Sequence, residues 1–167
     1  MTAYLDMGQL VSAARFALRA EPELVSRHAL LRCVAEPAAV AGSVEVYPEL
    51  ADKAAALLVA VARTHRPFAD GNKRAGFVAA TLMVNLNGHR LVMPLPVASA
   101  LIGRVAEPQD VAAVLAAHIV RRSRGESFSD AQIDALADEA EGGYAVDEVL
   151  KRRRAAVAHR SAPLPPA

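Results

Sequence analysis

The sequence predicts an all-α fold, a helical bundle carrying one small β-hairpin, and three observations point to it. Apolar residues recur at helical spacing, as in Met7, Leu10, Val11, Ala14 and Leu18. Of 167 residues 53% are hydrophobic but only 4% aromatic, so the core must come from small side chains packed closely between helices. One short stretch breaks the pattern: Gly42-Ser43 followed by the alternation Val44, Glu45, Val46 reads as a strand or hairpin.

Asp6 can cap the first helix, because its carboxylate accepts from free amides of the first turn. A second helix holds residues 28–34 and stops before Pro37, which disfavours helical geometry in the residue preceding it. Pro48 opens a helix reaching about residue 64, with Leu50, Ala54, Leu57, Leu58 and Val61 along one side. After a polar loop the next helix spans residues 72–87, where Gly88 offers a left-handed stop. Pro94 and Pro96 punctuate the chain before an apolar segment at 97–105. Pro108 starts a further helix ending in Arg121-Arg122, cations that suit a helix C-terminus.

Composition changes after Arg124, so residues 1–123 read as one domain and 124–160 as a helical extension. Ser129-Asp130-Ala131-Gln132 makes a capping-box start for an acidic helix that Gly142-Gly143 breaks. A last helix runs into Lys151-Arg152-Arg153-Arg154, and residues 161–167, with three prolines, read as a disordered tail.

The net charge of +1 argues against a nucleic-acid partner. The single cysteine, Cys33, excludes an intrachain disulfide, and its neighbours Leu30, Leu31 and Val34 suggest a buried thiol. The longest apolar stretches, 54–62 and 75–84, fall short of the ~20 residues that span a bilayer. The start MTAYLDMGQL has no signal-peptide pattern, so a cytoplasmic protein without a membrane partner is expected. His118, among Val114, Leu115, Ile119 and Val120, reads as a packed helix residue and His89 as a surface one. No histidine pair has ligand spacing with a carboxylate.

The chemistry concentrates in Thr64-His65-Arg66-Pro67-Phe68-Ala69-Asp70-Gly71-Asn72-Lys73-Arg74. A helix beginning near Asn72 turns unpaired N–H groups and its positive dipole end toward the loop. Gly71 allows close backbone approach, so an anion can sit on those amides. Lys73 and Arg74 oppose the dipole in the first turn, which an anionic ligand explains better than helix stability does. Asp70 supplies a hard oxygen for Mg2+, and His65 has the pKa range to accept a hydroxyl proton. These parts suit phosphoryl or nucleotidyl transfer; an ordinary polar turn would use several of the same residues.

The run resembles the signature of the Fic/Doc family, HxFxDGNKR, with one extra residue between the histidine and the proline. His65 thus stands five positions before Asp70, and Arg66 takes the position that the pattern gives to histidine. The flanks Tyr47-Pro48-Glu49-Leu50-Ala51-Asp52-Lys53-Ala54-Ala55-Ala56 and Asn85-Leu86-Asn87-Gly88 look like the family's death-on-curing branch, and the likeness covers residues 3–122. The resemblance implies a helical bundle in which Phe68 anchors the loop and Asp70 binds metal. Gly71 and Asn72 would line an anion hole, with Lys73 beside it, and Arg74 would pair with a phosphate of ATP. Residues 40–47, chiefly Ser43, Val44, Glu45 and Val46, would be a flap that holds the target peptide by strand addition.

Lys73 and Phe77 stand where adenylyltransferases of the family carry glycine and a second arginine, and both resemble the death-on-curing branch. The activity so implied is that of a toxin transferring the ATP γ-phosphate to elongation factor Tu, restrained by an antitoxin or by its own tail. Protein adenylylation is the alternative, and a silent protein that binds a nucleotide or a partner is the alternative of another class. A bulge after His65 would keep the base at the helix end; register kept from Pro67 onward would turn Arg66 inward, and arginine cannot be a base. The match of Ala62-Arg63-Thr64-His65 to the family's A-R-N-H favours the bulge. Residues 129–154 resemble the segment preceding the ribbon-helix-helix domain of antitoxins. The inhibitory signature S/T-x-x-x-E-G is absent, because Ala137 stands four before Glu141-Gly142.

Overall fold

The computed structural model describes residues 1–122; the expected extension at 124–160 and tail at 161–167 lie outside the described residues. Helix α1 spans Met7–Leu18 and opens on a reciprocal cap. The Gln9 N–H donates to Asp6 Oδ1 at 2.7 Å, and the Asp6 N–H donates to Gln9 Oε1 at 3.0 Å. Helix α2, Arg27–Ala35, opens on Ser26, whose Oγ accepts from the Ala29 N–H at 3.1 Å. One tighter turn, Glu36–Ala38, carries the chain past Pro37.

The expected hairpin follows. Strands β1, Val40–Ala41, and β2, Val44–Glu45, pair antiparallel, with Val40 opposite Glu45 and Ala41 opposite Val44. Gly42 takes the positive φ, 65°, that a tight hairpin turn requires. Every residue from 40 to 46 is exposed.

Helix α3, Leu50–Val59, starts two residues beyond Pro48, the proline expected to open it. It is buried all round from Lys53 to Val59, because it lies between two apolar clusters. Its other flank is α4, Asn72–Leu86, which ends as expected with Asn87 and a left-handed Gly88. Leu57 and Val61 join Leu10, Leu30, Cys33, Ala79 and Met83 in one cluster. Ala54, Leu58 and Ala62 join Ala80, Val84, Val111 and Leu115 in the other. Alanines let α3 and α4 approach so closely that a Cβ on Gly76 would lie 2.8 Å from the Leu58 carbonyl oxygen. Cys33 is fully buried, and burial pushes its thiol pKa up to about 12.

Two segments differ from expectation. Residues 97–105 were expected only as an apolar stretch, but Leu95–Gly103 forms helix α5, with Pro96 in its first turn, where no N–H is needed. Helix α6 covers Pro108–Ala116 and does not reach Arg122. Residues Ile119–Arg121 instead form β4, antiparallel to β3, His89–Leu91. His118 therefore sits in the turn before β4, with Nδ1 2.8 Å from the Val114 carbonyl oxygen, and His89 is half-buried in β3.

Candidate functional site

Helix α3 runs into a wider turn, Ala60–Thr64, in which the His65 N–H donates to the Ala60 carbonyl at 2.8 Å. Such a turn holds one residue more than an α-helical turn, the usual way for a helix to take up an added residue. Arg66 then adopts a left-handed φ of 44°, a strained conformation for a residue with a side chain. The expected bulge after His65 is replaced by a widened turn before it and a reversal at Arg66.

From Pro67 the backbone is pinned against the segment between α1 and α2. The Val25 N–H donates to the Pro67 carbonyl at 2.8 Å, and the Ala69 N–H to that of Glu23 at 3.0 Å. Phe68, 2% exposed, enters the α1–α4 cluster as the expected anchor of the loop. Burying such a ring contributes about 1.5–3 kcal/mol. Asn72 clasps the loop from the first position of α4: Phe68 N–H donates to its Oδ1 at 3.0 Å, and its Nδ2 donates to the Phe68 carbonyl at 2.6 Å. Gly71 between them has φ 71°, and a Cβ there would fall 2.0 Å from Leu18 Cδ2. Only glycine fits.

This loop forms one side of a cavity of about 560 Å³, within the range that small-molecule ligands occupy. Arg63, Arg66, Lys73 and Arg74 line it, with Asp70 as the carboxylate. Ala62 and Ile102 add apolar wall, and Gly71, Asn72 and Gly103 complete the rim. Arg63 is held by Glu107 at 2.6 Å, and Lys73 Nζ donates to the Gly103 carbonyl at 2.8 Å. Arg66 and Arg74 have no ion-pair partner among the described residues. Asp70 Oδ1 accepts from the Gly71 N–H at 2.6 Å, leaving its second oxygen open. Four cations around one carboxylate, at the positive end of α4, make the cavity electropositive.

His65 is not on that wall. It is half-buried, and its Nε2 is buried with no hydrogen-bond partner among the described residues. Burial foremost, then the Arg32 charge, holds its pKa below the ordinary 6.5, with Glu36 pulling the other way. The shift favours the neutral ring. Ser43, Val44, Glu45 and Val46 lie on the exposed hairpin, apart from the cavity lining. Phe77 packs against the second core cluster, so its position offers no cation. Among the described residues no group of three or more histidine, cysteine or carboxylate side chains could hold a metal, and no helix is long and apolar enough to cross a membrane.

Sequence reasoning missed Arg63, Ile102 and Gly103 on the wall, and Lys53 under the hairpin. Lys53 shares the helical stripe of Leu57 and Ala60, a signal of burial that was legible. Ile102 and Gly103 come from a helix distant in sequence, and nothing local marks them.

A family model described as Fic/DOC family matches residues 4–84. The protein Toxin Doc of Mycolicibacterium smegmatis (strain ATCC 700084 / mc(2)155) is 41% identical over 91 residues, which cover 54% of this chain and 69% of that protein. No solved structure matches the chain.

Proposed function

The chain belongs to the Fic/DOC family, and on that premise we propose that it is a Doc-like toxin that transfers the γ-phosphate of ATP to a hydroxyl of a translation protein, elongation factor Tu first among those to test. The observation that carries the reading is the cavity lined by four cations and one carboxylate beside the N-terminus of α4. Its size and charge fit a nucleoside triphosphate. Asp70 has one oxygen open for magnesium, an ion content with one or two protein carboxylates, waters and phosphate oxygens. Magnesium bound there would neutralise charge on the transferring phosphate.

The chain's own residues divide the remaining work. Arg74 and Arg66, which have no ion-pair partner among the described residues, clamp phosphate oxygens, and the backbone at Gly71 lets the anion approach α4. Lys73, tied to Gly103, occupies room that a glycine would leave, which favours γ over α transfer. Phosphoryl transfer passes through a loose transition state, so positioning and neutralisation lower most of the barrier. His65, whose burial favours the neutral ring, is the acceptor of the hydroxyl proton in this reading. The hairpin β1–β2, exposed throughout, would hold the target by adding its chain as a strand.

One observation favours a second reading, in which the nucleotide is bound without transfer: Nε2 of His65 is buried away from the cavity wall, where Arg66 stands instead. Incubating the protein with elongation factor Tu and either γ-labelled or α-labelled ATP separates the outcomes. Label from γ alone supports the kinase, label from α means adenylylation, and nucleotide binding with neither label leaves the silent protein. Loss of transfer in His65→Ala would assign the base; full retention would remove it from the mechanism. Control by an antitoxin, or by residues beyond 122, belongs to the same proposal and is tested by co-expression and by truncation.

A further inference from the structure

Lys53 is 1% exposed, and a buried ammonium is costly unless all three of its hydrogens are accepted. Here they are. Nζ donates to Glu45 Oε2 at 2.8 Å, to the Pro48 carbonyl at 3.1 Å and to the Tyr47 carbonyl. All three acceptors belong to four consecutive residues, the second strand of the hairpin and its exit. The hairpin has little else to place it. Its strands are two residues each, a size with marginal stability alone, and none of its side chains is buried. Beyond Lys53 the segment is tied by the Val46 N–H donating to the Ala39 carbonyl at 2.9 Å and the Tyr47 hydroxyl donating to Glu36 at 3.0 Å.

We infer that Lys53 is a positioning residue for the reaction: its ammonium, seated in α3, fixes where the β1–β2 hairpin stands and so where a target strand can be laid. The target-holding half of this inference rests on the function proposed above; the anchoring half does not. Lys53 touches neither the cavity nor a reacting atom. It acts through Glu45 and the backbone of Tyr47 and Pro48.

Hydrogen exchange on the full chain tests the anchor. In Lys53→Met, which keeps the stem and removes the charge, amides of residues 40–46 should exchange at least about tenfold faster while those inside α4 keep their protection. Unchanged exchange in the hairpin, or equal acceleration in both places, would overturn the inference. Glu45→Gln, a change at a half-exposed side chain that leaves the core untouched, should give a smaller acceleration confined to the same residues; none at all would count against it. In the transfer assay, Lys53→Met should raise KM for elongation factor Tu about tenfold with kcat and ATP affinity unchanged, whereas a fall in kcat at constant KM would refute positioning. Wild-type protein that transfers nothing would sink the proposed function and leave the exchange result to judge the anchor.

Discussion

The loop at 67–74 and the hairpin at 40–46 differ in what holds them. The loop is held by packing: Phe68 is in the core, Asn72 is buried, and Gly71 sits against the Leu18 side chain. The hairpin is held by polar links to one buried lysine and one carboxylate, with every side chain from 40 to 46 in solvent. Packed interiors have few alternative arrangements, whereas exposed backbone tied at a few points opens locally at little cost. In the proposed function the phosphate site would benefit from the first, because charge neutralisation needs preset geometry. A hairpin that holds a target chain, as proposed above, would benefit from the second.

Phe68→Ala should break the loop hardest, costing about 3–5 kcal/mol in urea unfolding; a loss below about 1 kcal/mol would mean that packing does not hold it. Asn72→Leu comes next, at about 2–4 kcal/mol, because it strands the buried N–H and carbonyl of Phe68. Arg66→Ala and Arg74→Ala should each weaken ATP binding by about 10–100-fold, the worth of a charge-assisted bond. Their unfolding free energy should stay within about 0.5 kcal/mol of wild type, since neither has an ion-pair partner to lose among the described residues.

Acidification gives a smaller effect with a defined sign. Folding lowers the His65 pKa, so the folded state resists the proton. Its contribution to stability is full above the unfolded value of 6.5 and is lost as pH falls through the folded value. The unfolding midpoint of the wild type should fall over that interval, and His65→Gln should flatten the fall; parallel curves would contradict the shift. Least of all, Val44→Ser in the hairpin should move the unfolding free energy by no more than about 0.5 kcal/mol. A larger loss would erase the contrast between the two regions.

Much of this arrangement was legible because it is local. Asp6, Gly88 and Gly42-Ser43 each state their own geometry, and the candidate site's loop is contiguous from His65 to Arg74. What escaped depends on contacts remote in sequence. β4 exists because β3, far earlier in the chain, offers it a partner, so the apolar run after α6 looked like more helix. Pro96 looked like an interruption, although a proline in a first turn begins a helix as well as it ends one. The site's main ambiguity was of the same kind. Whether His65 or Arg66 faces the cavity turned on how the added residue is taken up, and the chain has a widened turn before His65 and a left-handed Arg66 after it.

The burial of Cys33 has a practical consequence. The chain's single thiol is fully covered and has a pKa near 12, so it forms almost no thiolate at neutral pH and should ignore maleimides and iodoacetamide while the fold persists. A cysteine introduced at Ser43, on the tip of the hairpin, would then be the group that a fluorophore or spin label finds, with no need to remove the native one. The protein comes ready for site-directed spectroscopy of its own hairpin.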